Sequence, residues 1–376
     1  LARAACLAPG EPIPYNLLVL TLRAVETNIP HAGALPRPHT PHSIEDAVNR
    51  LAELGLLRST TPAVVQVHRL ILAFVQNAQQ AEIPVARLAV ENALCQEAEQ
   101  LNQAGYPGVL LSWQVHLRTV VNQAFNQNAE LIARLCHALG EHFRQIGDYG
   151  RARIGLERAV AIRQKVFGTE HENTARTLTD LGAIFWAQQA WNQAHACYAW
   201  ALMVQEEKLG EQADTAMTLS HLGMLAQYRG ELDSARPYHE RALAIRRTVL
   251  GAEHPLIAQT LCNLAYLDYC KHNFTQAQVY LEQALAVQRK AQGNEHPYTA
   301  YLLNNLGELR REQGDFAAAQ TIFSEVFAIQ QKVLAKEHPE NARALHNLGW
   351  AAQVQGDLAK GYAYYEAALQ IRRKVL

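Results

Sequence analysis

From residue 129 onward, apolar and polar positions return on a fixed beat. A Leu followed by a small residue recurs at Leu139, Leu181, Leu222, Leu264, Leu306 and Leu348, with spacings of 42, 41, 42, 42 and 42 residues. The small partners are Gly140, Gly182, Gly223, Ala265, Gly307 and Gly349. Further on in each unit come Ala152, Ala194, Ala235, Ala277, Ala319 and Gly361, then Ala159, Ala201, Ala242, Ala284, Val326 and Ala368. Small residues at such points let two antiparallel helices approach closely. Large residues between them, such as Leu178, Phe185 and Tyr198, fill the remaining space. A period of this length is the signature of a repeat architecture.

The punctuation agrees with the beat. Gly147-Asp148, Gly230-Glu231, Gly314-Asp315 and Gly356-Asp357 mark the turn inside a pair, where Gly caps the first helix. Gln189 and His272 stand at that place in the other two units. Between units, Gly251-Ala-Glu-His-Pro255, Gly293-Asn-Glu-His-Pro297 and Ala335-Lys-Glu-His-Pro339 end one helix and start the next. Pro suits a first helical turn because no donor is needed there. His254, His296 and His338 lie about 42 residues apart at these corners, so they cannot converge on one metal. Cap or packing roles are expected of them, and no metal site is.

Residues 1–79 follow a different pattern. A short amphipathic helix is expected over Leu1 to Leu7 and another over about Tyr15 to Val25, started by Pro12-Ile-Pro14. A Pro- and His-rich loop, Pro30 to His42, precedes Ser43-Ile-Glu-Asp46, a capping-box-like start to a helix ending at Leu54. Leu56–Ser59 and Ala63–Val67 are β-prone and predict a hairpin, and His68 opens the next helix. Residues 80–128 carry helical periods over Val85–Gln100 and Leu111–Ala124, broken at Gly105-Tyr-Pro-Gly108. They predict a helical spacer.

The units of residues 129–376 resemble the tetratricopeptide repeat, in the 42-residue variety found in kinesin light chains and many bacterial signalling proteins. The resemblance implies a mainly α fold, a right-handed α-solenoid of six helix pairs with a concave groove. The helix–helix–helix–hairpin outline of residues 1–79 resembles the winged-helix segment that closes the nucleotide-binding module of STAND-type NTPases with an NB-ARC core. Its carriers are Ala4-Ala-Cys-Leu-Ala-Pro9 with Ile13-Pro14, Leu51-x-x-Leu-Gly-Leu-Leu57, and Val67-His68-Arg69-Leu70. In that family a Met-His-Asp motif at the third place sets its His against the β-phosphate of ADP, and His68 would inherit the role. Val67 and Arg69 depart from the motif.

The first resemblance also implies groove residues. The position before each marker Leu faces the groove in such arrays. Here it carries Ala138, Asp180, His221, Asn263, Asn305 and Asn347, the last three forming a ladder of amides. An amide donates and accepts at once, which suits the backbone of an extended peptide; tying adjacent helices together is the alternative role. Arg134, Arg176, Arg343, Met217, Tyr228, Tyr266, Tyr269, Tyr301, Trp186 and Trp350 occupy other groove positions. Arginine and aromatic residues dominate binding energies at interfaces. Glu141, Glu308 and Glu312 share the face, which leaves the ligand's charge open.

Composition narrows the classes further. The 376 residues are 49% apolar with a net charge of −1, which gives no basic footprint for nucleic acid. The helix Ser43–Leu54 sets Glu45, Asp46 and Glu53 against Arg50 alone, a poor recognition helix. The six cysteines form no CxxC pair and are expected as buried thiols of a cytoplasmic protein. No stretch is long and apolar enough to span a membrane. There is no nucleophile elbow, phosphate loop or HExxH, so no catalytic residue is expected. The chain starts at Leu1 and stops at Leu376, where earlier repeats turn a corner, and is expected to be a piece of a longer polypeptide. Its last helix is expected to expose part of an apolar face (Tyr365, Leu369, Ile371), covered by further repeats or by end-to-end association.

The expected function is the ligand-sensing region of a STAND-type signalling NTPase. The groove binds a protein or peptide trigger. The winged helix couples it to a nucleotide module outside this chain, which would bind ADP or ATP with Mg and oligomerise on activation. A passive tetratricopeptide adaptor is the first alternative, and a winged-helix DNA-binding regulator the second.

Overall fold

The computed structural model describes residues 3–8, 11–23, 44–54, 56–61, 63–67, 71–72, 75, 83–105, 107–123 and 129–375. The protein is mainly helical, and its chain forms two compact units, Leu1–Val204 and Gln205–Leu376.

The first unit begins with a small sheet. Strands β1 (Ile13–Pro14), β2 (Leu57–Thr61) and β3 (Val64–Val67) lie in the order β1-β3-β2, antiparallel throughout. Helices α1 (Tyr15–Arg23) and α2 (Ile44–Glu53) accompany it. The expected β2–β3 hairpin is present. Two details differ from the sequence reading. Over the stretch expected as a first helix, the described residues form a 3-10 turn at Ala4–Cys6. The Pro12-Ile-Pro14 segment makes a strand before it makes a helix: Ile13 pairs with Val65 and Pro14 with Val64. A proline at a strand edge gives up no ladder donor there, which is why the pairing survives. His68 and Ser43 lie outside the described residues.

Helices α3 (Ile83–Ala104) and α4 (Pro107–Gln123) follow, over the predicted spacer. They pack on α5 (Ala129–Gln145), the first helix of the repeats. Buried His116 on α4 fastens this spacer to the N-terminal segment. Its Nδ1 accepts the Ala8 backbone N–H at 3.1 Å, and its Nε2 lies 3.0 Å from the Pro12 carbonyl. The two contacts select the tautomer with the proton on Nε2. Trp113 on the same helix donates to Asn16 at 3.3 Å. The sequence reading missed His116, because its partners are backbone groups more than a hundred residues away. Helix α5 pairs with α6 (Tyr149–Phe167), and α7 (Glu172–Ala187) and α8 (Trp191–Lys208) come next.

The second unit contains α9 (Ala213–Tyr228) paired with α10 (Leu232–Leu250), α11 (Pro255–Cys270) with α12 (Phe274–Gln292), α13 (Pro297–Glu312) with α14 (Phe316–Val333), and α15 (Pro339–Val354) with α16 (Leu358–Val375). Every marker Leu is buried, as the beat requires. The following glycines explain themselves by contact. A Cβ on Gly182 would meet the Tyr198 ring at 2.5 Å, and one on Gly307 would meet Phe323 at the same distance. The aromatic ring of the second helix therefore lies flat against the backbone of the first.

Corners behave as their chemistry dictates. His171, His254, His296 and His338 each take extended dihedrals and accept, through Nδ1, the backbone N–H two residues on, at 3.0–3.2 Å. They are helix N-caps in which imidazole replaces the usual hydroxyl or carboxylate. The within-pair turn keeps its left-handed residue even without Gly: Gln189 and His272 have φ of 59° and 58°.

At the end of the chain, Leu369 is 47% exposed, while Leu285 and Leu243, its equivalents two and three repeats earlier, are 5% and 7% exposed. The outer face of α16 is thus open and partly apolar, as expected. No helix among the described residues is long and apolar enough to cross a membrane.

Candidate functional site

The first helices of successive pairs carry the candidate residues, and the two units treat them differently. In the second unit, α11, α13 and α15, with Leu281 of α12, line an open hollow of about 270 Å³. Its walls include Tyr266, Tyr269 and Tyr301, its floor Leu281 and Leu309, and its polar groups Asn263, Asn305, Glu308 and Arg343. The 42-residue beat brings them together: Asn263 and Asn305 sit before successive marker leucines, and Tyr266 and Glu308 three residues after each Asn. Tyr266 and Tyr301 are exposed at 52% and 40%. Tyr228, on α9, is also exposed.

Local contacts set the polarity of this hollow. Asn305 lies against the buried Cys262, its Nδ2 at 3.4 Å from Sγ. Burial pushes the Cys262 thiol up. Burial also raises Tyr301, with Cys262 adding to it, and raises Tyr269, with Glu312 adding to it. At neutral pH these groups are therefore protonated, and the phenols offer donors as well as ring faces. Glu308 accepts from Asn304 at 2.8 Å. Arg343 pairs with Glu340 at 2.6 Å and holds its guanidinium carbon 6.0 Å from the Tyr301 ring centre.

Asn347 does not join the hollow. It is 7% exposed and donates to Asn304 Oδ1 at 2.9 Å, so the third rung of the amide ladder ties α15 to α13. The acceptor sits two residues before the marker Leu, on a row the groove pattern leaves out. Trp350 is half-buried, edge-on to Phe316 at 5.5 Å, with Arg311 over its ring at 5.4 Å. His221 on α9 is half-buried.

In the first unit three of the corresponding residues, Arg134, Asp180 and Trp186, are engaged within the fold. Arg134 sends a fork to Glu99 on α3, at 2.9 and 2.6 Å. Asp180 lies 3.1 Å from His137 Nε2. Trp186 meets Trp191 edge-on at 5.1 Å, and Arg176 is exposed. His137, Glu141 and Asp180 come within coordinating reach of one another. Each is already engaged, however: Asp180 by His137, and Glu141 by a short ion pair with Arg144 at 2.7 Å. A cation there would have to displace a guanidinium.

Paired helices that stack by period and leave a hollow lined by their first members define a helical-repeat, protein-binding scaffold. The family pattern described as "Tetratricopeptide repeat" matches residues 131–207, 214–290, 257–332 and 298–374. These matches take in more than half of the chain, and the chain belongs to the tetratricopeptide-repeat family. None of the curated protein sequences matches it. Among solved structures, BtubC (BKLC) from P. vanneervenii is similar at 23% identity, over 62% of this chain and 91% of that one, with a TM-score of 0.51. RapI in its apo form is similar at 15% identity over 76% and 98%, with a TM-score of 0.58. A Signal Transduction ATPase with Numerous Domains protein with a tetratricopeptide repeat sensor, from Pyrococcus horikoshii, is similar at 13% identity over 99% of this chain and 62% of that one, with a TM-score of 0.55. At these identities the likeness is one of fold.

Proposed function

We propose that this chain is the ligand-sensing region of a STAND-type signalling NTPase and that its repeats grasp a protein or peptide. The observation that carries the grasping role is the hollow of α11, α13 and α15. Three tyrosine side chains, two amides and a carboxylate line it, and Tyr266 and Tyr301 stay exposed. A scaffold with no ligand gains nothing by leaving large aromatic side chains uncovered. The signalling role is supported by fold likeness along the whole chain, N-terminal third included, to a STAND protein with a repeat sensor. The small sheet with α1 and α2 supports a winged-helix reading of residues 1–79, with residues 80–128 as the spacer before the repeats of 129–376.

In this reading, the trigger binds the repeats better in an open form of the full-length protein than in a closed, ADP-bound form. Only that difference in affinity moves the balance. His68 is the candidate to face the nucleotide, and ADP or ATP with Mg belongs to a module outside this chain. The protein works in the cytoplasm, and oligomerisation follows opening.

Two measurements test the proposal. Peptides bound by the chain should bind at least tenfold more weakly to Tyr266→Ala/Tyr301→Ala, with the melting temperature unchanged. Equal binding removes the hollow from the function. In the full-length polypeptide, affinity for the same peptide should differ between ADP- and ATP-loaded forms. Equal affinities favour the passive adaptor.

A further inference from the structure

We infer that the hollow of α11, α13 and α15 receives a cationic side chain, Lys or Arg, from the bound polypeptide; this rests on the peptide-grasping reading above. Charge is the first reason. Two charged side chains line the hollow, Glu308 and Arg343. Arg343 is neutralised by Glu340 at 2.6 Å. Glu308 accepts one amide hydrogen bond, from Asn304, and no cation among the described residues ion-pairs with it. Nearby Arg311 and Arg310 are directed elsewhere, to Glu312 at 3.0 Å and Glu282 at 3.8 Å. The hollow therefore carries one uncompensated negative charge.

The walls are the second reason. Tyr266, Tyr269 and Tyr301 line the same space as Glu308, with Tyr301 stacked on Tyr298 at 5.5 Å, which leaves Tyr266 and Tyr269 as the rings for a ligand's cation. The face of an aromatic ring is its negative side and attracts an ammonium or guanidinium, more strongly once water is excluded. The protein already uses this attraction at the rim, where Arg343 lies over Tyr301. The floor is the third reason. Leu281 and Leu309 are apolar, and Lys and Arg carry an aliphatic stem that covers such a surface while the charged head seeks its partner. A volume of about 270 Å³ admits one long side chain. An acidic side chain meets the opposite conditions: it would confront Glu308 and the negative ring faces, and would have to part Arg343 from Glu340.

An array of random 12-residue peptides, probed with the whole chain, tests this directly. Bound peptides should be enriched in Lys or Arg at one position, and replacing that residue with norleucine or citrulline should weaken binding fivefold or more. Glu308→Gln should cause a similar loss for the basic peptides, and Glu308→Lys should turn the preference toward acidic ones. Glu308 is half-buried at the edge of the hollow, and circular dichroism checks that both variants keep their helices. Binding without basic preference, or basic peptides indifferent to Glu308→Gln, overturns this inference and leaves the grasping role standing. If no peptide binds, or if binding ignores Tyr266→Ala/Tyr301→Ala, the grasping role falls and this inference falls with it.

Discussion

The two units carry the same beat and use it differently. In the first, groove-row side chains bind to their own fold: Arg134 to Glu99, Asp180 to His137, Trp186 to Trp191. In the second, the groove face leaves Tyr266 and Tyr301 exposed and opens a hollow beside them. Periodicity thus fixes where a side chain sits on its helix but not whether a neighbour claims it. That depends on residues outside the row. Glu99 on α3 reaches Arg134 because α3 packs on α5. Asn304 captures Asn347 because it stands one residue away from the ladder.

If the units differ at the groove and not in their cores, equivalent core substitutions should hurt both. Tyr198→Ala in the first and Phe323→Ala in the second each remove a ring buried against a glycine backbone, and each should cost ~3–5 kcal/mol in urea unfolding. A loss confined to one unit would break the comparison. The second unit should also be acid-sensitive. His239 is fully buried there, both ring nitrogens lack a partner, and burial, with Arg246 adding to it, depresses its pKa to about 4. The neutral form is the folded one. Stability is therefore complete above the unfolded value near 6.5 and declines as the pH falls from there toward 4, by about 3 kcal/mol in all. His239→Leu, which copies Leu281 one repeat on, should abolish that decline. An unchanged pH profile would show that His239 does not titrate in this window.

Smaller effects sharpen the contrast at the amide ladder and the corners. Asn347→Ala should cost about 1–2 kcal/mol, because it removes a buried hydrogen bond, while Asn263→Ala should stay within about 0.5 kcal/mol. Equal costs would mean both amides serve the fold. Arg134→Ala should cost about 0.5–1 kcal/mol, since its fork to Glu99 is one-third exposed. Gln189→Gly, which relieves a left-handed residue with φ of 59°, should gain a few tenths to about 1 kcal/mol.

Much of the fold was legible because the repeat states each rule several times over. Marker leucines, close-approach glycines and His-Pro corners recur with one spacing, and the structure keeps each in its place. The N-terminal segment states its rules once. Strand β1 is the two residues Ile13 and Pro14, and it pairs with β3. His116 acts through backbone groups of Ala8 and Pro12, which leave no pattern along the chain. The site was legible as rows: Asn263, Tyr266, Tyr301, Asn305 and Arg343 do share one hollow. Tyr269, also a predicted groove position, joins them, and Cys262 completes the hollow from a neighbouring row. What the rows could not carry was side-chain pairing, and pairing is what withdraws Asn347 and engages Arg134.

Isothermal titration of the whole chain with the tightest peptide from the array tests the central claim most directly, run beside Tyr266→Ala/Tyr301→Ala in the second unit and Arg176→Ala in the first. Affinity reduced tenfold or more by the tyrosine pair, and changed less than twofold by Arg176→Ala, places the ligand in the hollow of α11, α13 and α15. The same affinity for the parent chain and the tyrosine variant would contradict the account.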